Sequence, residues 1–175
     1  MFTPYQVDFI SRVNLNLCII SLNSIPVSAQ VKVVKTWVNG WATTHRIKGN
    51  FFRTCMLGCT DAPDSLAHYL MCPIIYAVCL HVLPNTCEDP LVRCGLCEPS
   101  HECLLSVACI FFAYHALKSR VNSEFDECIP ENFDYKPYVI HFAQAFCTEA
   151  GGLGLYHGLF DHDRFFNRFL MHTPY

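Results

Sequence analysis

Charged residues are scarce in this sequence, and the motifs of several enzyme classes are missing from it. Only 15% of the 175 residues are charged and 52% are hydrophobic, which excludes a largely disordered chain. No Asp-Asp pair occurs, so the paired carboxylates with which polymerases hold two metal ions are absent. A glycine-rich phosphate-binding loop and the serine or cysteine signatures of hydrolases are absent as well. We therefore predict a globular protein that is not an enzyme.

Acidic residues are missing from one long stretch near the N-terminus. Between Phe9 and Thr60 there are six basic residues and no acid, which gives a formal charge of +6. From Asp61 to Tyr175 six basic and fourteen acidic residues give −8, so the net charge of −3 conceals a strong asymmetry. A polyanionic partner is expected to bind the basic stretch between Phe9 and Thr60, because opposite charges steer association.

Hydrophobic runs long enough to cross a membrane are not found in the sequence. The best candidate, residues 103–117, is shorter than the stretch that a bilayer-crossing helix needs. Ser106 and His115 interrupt it with polar side chains. We therefore expect a helix of the protein core over this segment, and no membrane span.

A shorter apolar run, Leu15–Leu22, has some features of a signal peptide over residues 1–29. Arg12 precedes it, and Val27-Ser28-Ala29 resembles a small-residue cleavage site. Three asparagines dilute the run, however, and Asp8 lies in the region that would have to be positive. We favour a buried strand or helix here and an intracellular protein, nuclear or cytoplasmic, with the signal peptide as the alternative.

Cysteine is abundant, with twelve residues in the chain. A secreted disulfide framework and a set of intracellular thiols with a metal site are the two alternatives. Disulfide scaffolds place their cysteines in polar, loop-rich sequence, whereas buried reduced cysteine behaves as a small hydrophobe. Five cysteines lie inside apolar runs, as buried reduced thiols do, so we favour a reducing compartment. They are Cys18, Cys79, Cys103, Cys109 and Cys147.

The periodicity of the chain predicts a mostly α fold, a small helical domain organised around one structural zinc knuckle. We divide it into an N-terminal segment (1–26), a basic helix with the knuckle (27–83) and a helical, acidic C-terminal part (84–175). A helix capped by Ser28 is expected to run to about Thr44. Helical spacing places four of its residues on one apolar face: Val31, Val34, Val38 and Trp41.

Three cysteines and one histidine have the spacing of a zinc site, Cys55-x3-Cys59-x8-His68-x3-Cys72. Zinc takes four such ligands at tetrahedral corners, and Gly58 gives the first pair a flexible turn. His68 and Cys72 are four residues apart, so on a helix both lie on one face. All four corners are then filled by protein, which predicts one structural Zn²⁺ and no catalytic site.

Two prolines and an aspartate frame the second ligand pair. Asp64 follows Pro63 and is expected to cap the helix that carries His68. Pro73 lacks a backbone donor, so it should end this helix just after Cys72 and begin another.

A second group of candidate ligands follows the knuckle. The Cys94-x2-Cys97 spacing is that of a zinc-binding pair, so a second metal site is one alternative and a loop of reduced cysteines is the other. The group comprises Cys87, Cys94, Cys97, His101 and Cys103.

Several short motifs resemble the region downstream of the polymerase core in reverse transcriptases of non-long-terminal-repeat retrotransposons. They are Trp37-Val-Asn-Gly-Trp41, Thr43-Thr44-His45-Arg46, Gly58-Cys59, Asp64-Ser-Leu-Ala-His68-Tyr69 and Cys72-Pro73. The resemblance covers about residues 34–82 and implies a Cys-Cys-His-Cys zinc knuckle that helps to grip RNA or DNA. Since the paired aspartates are missing, the chain would have no polymerase activity of its own.

The expected nucleic-acid contacts are the basic residues ahead of the knuckle, because cations bind phosphates and exposed aromatics stack on bases. Trp41 is expected to be a core residue rather than a stacking platform. The alternative function is a structural or assembly subunit of a larger protein complex, in which the knuckle only stabilises the fold. The predicted contacts are Arg46, Lys48, Arg53, Lys35 and Lys32.

Overall fold

The computed structural model of the chain describes residues 13–44, 46, 54–83, 86–125, 133–156, 158, 160–165 and 167. The fold is mostly α, as predicted, and one isolated antiparallel bridge joins Thr54 to Pro63. In chain order the helices of this part are α1 (Leu15–Leu22), α2 (Val27–Trp37), α3 (Leu66–Met71), α4 (Pro73–Val82), α5 (Pro90–Arg93), α6 (His101–Glu124), α7 (Lys136–Gly152) and α8 (His162–Phe165).

The central element is α6, a helix of 24 residues that packs against both α2 and α7. It begins at His101 and is capped by Ser100, whose hydroxyl accepts a hydrogen bond from the backbone N–H of Cys103 at 3.1 Å. By length and composition alone it is apolar enough to cross a membrane, unlike what the sequence analysis expected of residues 103–117. However, 72% of its most apolar window is buried inside the protein, as in a core helix.

One hydrophobic cluster joins the knuckle segment to the C-terminal helices. It runs from Trp41 and the ligand cysteines Cys55 and Cys72 through α4 and α6 to Phe142 and Phe146 of α7. A smaller cluster ties α2 to the first half of α6. The segments 27–83 and 84–175 therefore share a core, and the metal-ligand loop is part of it.

The helix predicted to reach Thr44 ends at Trp37 instead. Asn39 has a φ of 54°, in the left-handed region that terminates helices, and Gly40 follows it. A Cβ atom at Gly40 would lie 2.8 Å from the carbonyl oxygen of Lys35, so only glycine fits this close return of the chain. Ser28 does not cap the helix either, because α2 begins at Val27 directly after Pro26.

The predicted apolar face of α2 points to solvent, which corrects the sequence analysis. Val31, Val34 and Val38 are 49%, 39% and 69% exposed, whereas Val33 is fully buried against α6. Lysine stems can cover apolar surface while their charged ends reach a partner. Lys32 lies over the ring of Phe112 at 5.3 Å and forms an ion pair with Glu149, so the side chain of Lys32 reaches toward the protein.

Two valines that are neighbours in sequence allow a matched test of this orientation. Val33→Ala should lower the free energy of unfolding by about 2 kcal/mol, because it removes buried methyl groups. Val34→Ala should change it by less than about 0.5 kcal/mol. Urea denaturation followed by circular dichroism measures both, and equal losses would contradict the observed face.

The long C-terminal helix, α7, begins at Lys136 and includes Gly151 and Gly152 in its last turn. Four of the five cysteines that lie in apolar runs are buried, and Cys103 is half-buried. Burial raises the pKa of the Cys79 thiol to about 12, which keeps it protonated and unreactive.

Candidate metal centre

The first two candidate ligands lie on a tight loop between Thr54 and Pro63. The backbone N–H of Cys55 donates to Ala62 at 2.8 Å, which closes the loop at its base. Gly58 has a φ of +89° and donates to the carbonyl of Cys55 at 3.1 Å. This left-handed turn folds the chain back, so that Cys59 returns toward Cys55.

The other two ligands come from α3 and its end. Ser65 caps α3, and its hydroxyl accepts from the backbone N–H of His68 at 3.2 Å. His68 lies within the helix and Cys72 follows its last residue, Met71. Pro73 then begins α4, as the sequence predicted. The spacing of four residues therefore brings the imidazole and the thiol to the same side of the helix end.

The four predicted ligands meet in one place. Their ligand atoms all lie within 4.8 Å of one another, and Cys59 Sγ is 3.6 Å from Cys72 Sγ. A tetrahedral zinc with Zn–S bonds of about 2.3 Å holds its sulfurs about 3.8 Å apart. His68 Nε2 is buried and has no hydrogen-bond partner among the described residues, as a metal-binding nitrogen would. These four residues can hold one metal ion.

Electrostatics favour a cation in this cluster. Hydrogen bonds from Cys59 and Cys72 lower the pKa of the Cys55 thiol far below its ordinary value. The same hydrogen bond to Cys55 raises the pKa of Cys59 to about 12, and burial raises the pKa of Cys72 well above its ordinary value. Without a metal the three sulfurs can therefore share only one negative charge, whereas a divalent cation would stabilise all three thiolates.

Asp64 is not the cap of α3, which corrects the sequence analysis. It is fully buried, and the adjacent Ser65 takes the capping role. The buried carboxylate is stabilised by an ion pair and three hydrogen bonds, which satisfy both of its oxygens. Its donors are Lys118 Nζ at 2.6 Å, Thr44 N at 2.8 Å, Tyr69 OH at 2.9 Å and Tyr114 OH at 3.2 Å.

This carboxylate network joins the metal-ligand loop to the central helix. The hydroxyl of Tyr69, next to the ligand His68, also accepts from the backbone N–H of Met56 at 3.3 Å. Asp64 therefore connects both ligand segments to Lys118 on α6. Nothing in the local sequence indicates this role, because the partner lysine lies 54 residues further along the chain.

Trp41 fills the space beside this network, as expected of a core residue. It is fully buried, and its ring centroid lies 4.5 Å from that of Tyr114 and 5.9 Å from that of Tyr69. Its indole N–H donates to the hydroxyl of Thr36 at 2.9 Å. Trp41 therefore cannot stack on a base without unfolding the core.

The predicted nucleic-acid contacts differ in their exposure and in the interactions that they make within the protein. Lys32 forms its ion pair with Glu149, so part of its charge is already neutralised. Lys35 is exposed and lies over the ring of Phe111 at 5.9 Å. Arg46 is exposed and donates to the carbonyl of Trp41 at 3.4 Å. Lys48 and Arg53 lie outside the described residues.

The second group of cysteines does not form a metal site in the part of the chain that the structure describes. Only the Cys55 group there brings three or more candidate ligands together. The Cys103 thiol instead donates to the backbone carbonyl of Val92 at 2.6 Å. Burial raises the pKa of Cys94 to about 12 and that of Cys103 to about 11, so both stay protonated.

Comparison with known protein families, curated proteins and solved structures finds no match to this chain. The similarity to retrotransposon reverse transcriptases thus stays a hypothesis that depends on the motifs in the sequence. The metal-ligand geometry does not depend on it, because it follows from the positions of Cys55, Cys59, His68 and Cys72.

Proposed function

We propose that this chain is a zinc-stabilised helical domain that binds RNA or DNA through its basic front, residues 32–53. The observation that carries the proposal is the charge distribution, since Phe9–Thr60 holds six basic residues and no acid. Lys35 and Arg46, which precede and follow the buried Trp41 in the sequence, are both exposed. Nucleic-acid affinity derives largely from such contacts with phosphates.

The metal in this proposal is a structural Zn²⁺. Three thiolates and one imidazole are the ligands that zinc prefers over magnesium or calcium. They would occupy all four positions and leave none for water or substrate. The zinc would hold the loop after the basic segment against α3, and the Asp64 network would hold both against α6.

Charge reversal tests the nucleic-acid proposal. The triple variant Arg46→Glu, Lys48→Glu, Arg53→Glu should weaken binding to single-stranded RNA and duplex DNA at least about tenfold. It should also reduce the slope of log affinity against log salt by about three, one for each lost phosphate contact. Fluorescence anisotropy with labelled oligonucleotides over a range of salt concentrations measures both quantities.

A matched control reverses three charges in the acidic part of the chain: Arg120→Glu, Lys136→Glu and Arg164→Glu. It makes the same change in net charge, so an effect of overall charge would appear in both variants. The proposal requires that only the first variant loses affinity. Equal losses in the two variants, or a wild-type chain that binds neither oligonucleotide, would contradict it.

A second candidate function is assembly with other proteins, and the surface of α1 and α2 favours it. Contiguous exposed apolar residues often mark interaction sites. Under this alternative the zinc only stabilises the fold, and charge reversal of the basic segment leaves the protein partner bound. Eight large apolar side chains on the two helices and at the C-terminal end of α2 are exposed: Leu15, Leu17, Ile19, Ile20, Val27, Val31, Val34 and Val38.

A further inference from the structure

A buried arginine outside the metal centre has no charged partner in the part of the chain that the structure describes. Arg93 ends α5, and only 9% of its surface is exposed. One end of its guanidinium donates to the carbonyl of Leu70, and the group lies over the ring of Tyr76 at 4.9 Å. Its Nε is buried without a hydrogen-bond partner. No described carboxylate forms an ion pair with it.

A buried charge without an ion pair destabilises the fold unless a further group neutralises it. Burying a charge without a counter-ion opposes folding by several kcal/mol, roughly, and an unpaired buried donor adds to the cost. Lysine and arginine are rarely buried in proteins unless they are paired. Arg93 thus has unused capacity to bind an anion.

A cleft of about 490 Å³ lies against this side chain. That volume is within the range of about 300–1,000 Å³ that is typical of small-molecule sites. Its lining includes the polar residues Arg93, Ser100 and Ser106 and the apolar residues Val82 and Leu155. The cleft therefore combines one cation with apolar side chains.

The start of the central helix lines the same cleft. Ser100 caps α6, and Glu102, Cys103 and Ser106 of its first two turns belong to the wall. The N-terminus of a helix of 24 residues carries a partial positive charge and unpaired N–H groups. This partial charge and the guanidinium of Arg93 are the positive features of a lining that also contains the carboxylates of Glu98 and Glu102.

Two carboxylates limit what can bind. Glu98 and Glu102 line the cleft and are exposed, so they repel an anion with several charges. A single carboxylate instead needs only one counter-charge, and it can accept a charge-assisted hydrogen bond from a terminal N–H of the guanidinium. We propose that this cleft binds a small monocarboxylic acid, with its carboxylate on Arg93 and its apolar body against Val82 and Leu155.

The test uses the full-length, metal-loaded chain with hexanoate, benzoate and inorganic phosphate as probes. Hexanoate or benzoate should bind with a Kd on the order of 1 mM or tighter, and phosphate more weakly than either. Arg93→Met should reduce the carboxylate affinity at least about tenfold. Amide chemical shifts in nuclear magnetic resonance spectra locate the binding residues, and metal content shows that each variant retains its knuckle.

Two further variants keep the test independent of the folding of Arg93→Met. Val92→Phe fills the cleft without changing a bond of Arg93, so it should also abolish binding. The double variant Glu98→Gln, Glu102→Gln removes the repelling charges and should strengthen binding of both carboxylates and of phosphate. The proposal is overturned if neither carboxylate gives a saturable shift at the cleft, or if Val92→Phe binds as well as the unchanged chain.

Discussion

The double variant Cys55→Ser, Cys59→Ser should lose its zinc and, with it, the fold of the knuckle. Serine hydroxyls do not replace thiolates as zinc ligands, so two of the four corners are lost. Structural zinc contributes about 10–16 kcal/mol to the folding of small zinc-finger peptides, which is as large as the whole stability of most domains. We expect about one zinc per unchanged chain and none in the variant, by mass spectrometry, with a large loss of helical circular dichroism.

The matched control for this variant is Cys87→Ser, Cys97→Ser. It makes the same chemical change at two cysteines that lie outside the metal-ligand group. It should keep one zinc per chain and its helical signal. An unchanged chain that folds without metal would contradict the zinc site, and loss of zinc in the control would show that the metal binds elsewhere.

Lys118→Met should lower the free energy of unfolding by about 3–5 kcal/mol. Methionine can fill the space of the lysine stem, but it leaves the fully buried carboxylate of Asp64 without a counter-ion. The remaining hydrogen bonds from Thr44 and the two tyrosines do not neutralise the charge. Urea denaturation measures the loss, and the metal content should remain at one zinc in the folded variant.

Two comparisons separate the charge effect from simple loss of contacts. Asp64→Asn in the Lys118→Met background removes the uncompensated charge, so part of the lost stability should return. Arg120→Met breaks an ion pair with Glu124 whose side chains are 36% and 37% exposed, and it should cost less than about 1 kcal/mol. Equal effects of Lys118→Met and Arg120→Met would contradict a buried network.

The metal-ligand group could be predicted from sequence because its determinants are local. Cys55 and Cys59 form one turn, and His68 and Cys72 are related by helical spacing. Pro73 marks the boundary between α3 and α4 through its own missing donor. A pattern of this kind specifies geometry within about twenty residues, and the structure brings all four ligand atoms together.

Asp64 was misassigned because two local rules compete at this position. An aspartate just ahead of an apolar helix is a good cap, but the following Ser65 is an equally good one and takes the role. Whether Asp64 is buried depends on Lys118, which no local pattern connects to it. The complete loss of solvent around the Asp64 carboxylate is offset by its ion pair with Lys118, a contact made only in the folded chain.

The orientation of α2 could not be predicted for a similar reason. Both sides of this helix carry valines, so the period of the sequence allows either side to face the core. Val33 faces the core because it packs against residues of α6, and Lys32 pairs with Glu149, which is 117 residues away. The burial of Arg93 could not be predicted either, since a single arginine in a cysteine-rich segment carries no pattern of its own.

The turn at Gly58 affects how fast the site could exchange its metal. A Cβ atom at Gly58 would lie 2.7 Å from the ring of Tyr135, so the loop between the two cysteines rests directly on the residue that precedes α7. Local opening at the start of α7 would therefore loosen the turn between the two cysteines. The lifetime of an ion bound there would then depend on local unfolding of a distant part of the chain as well as on the strength of its own bonds.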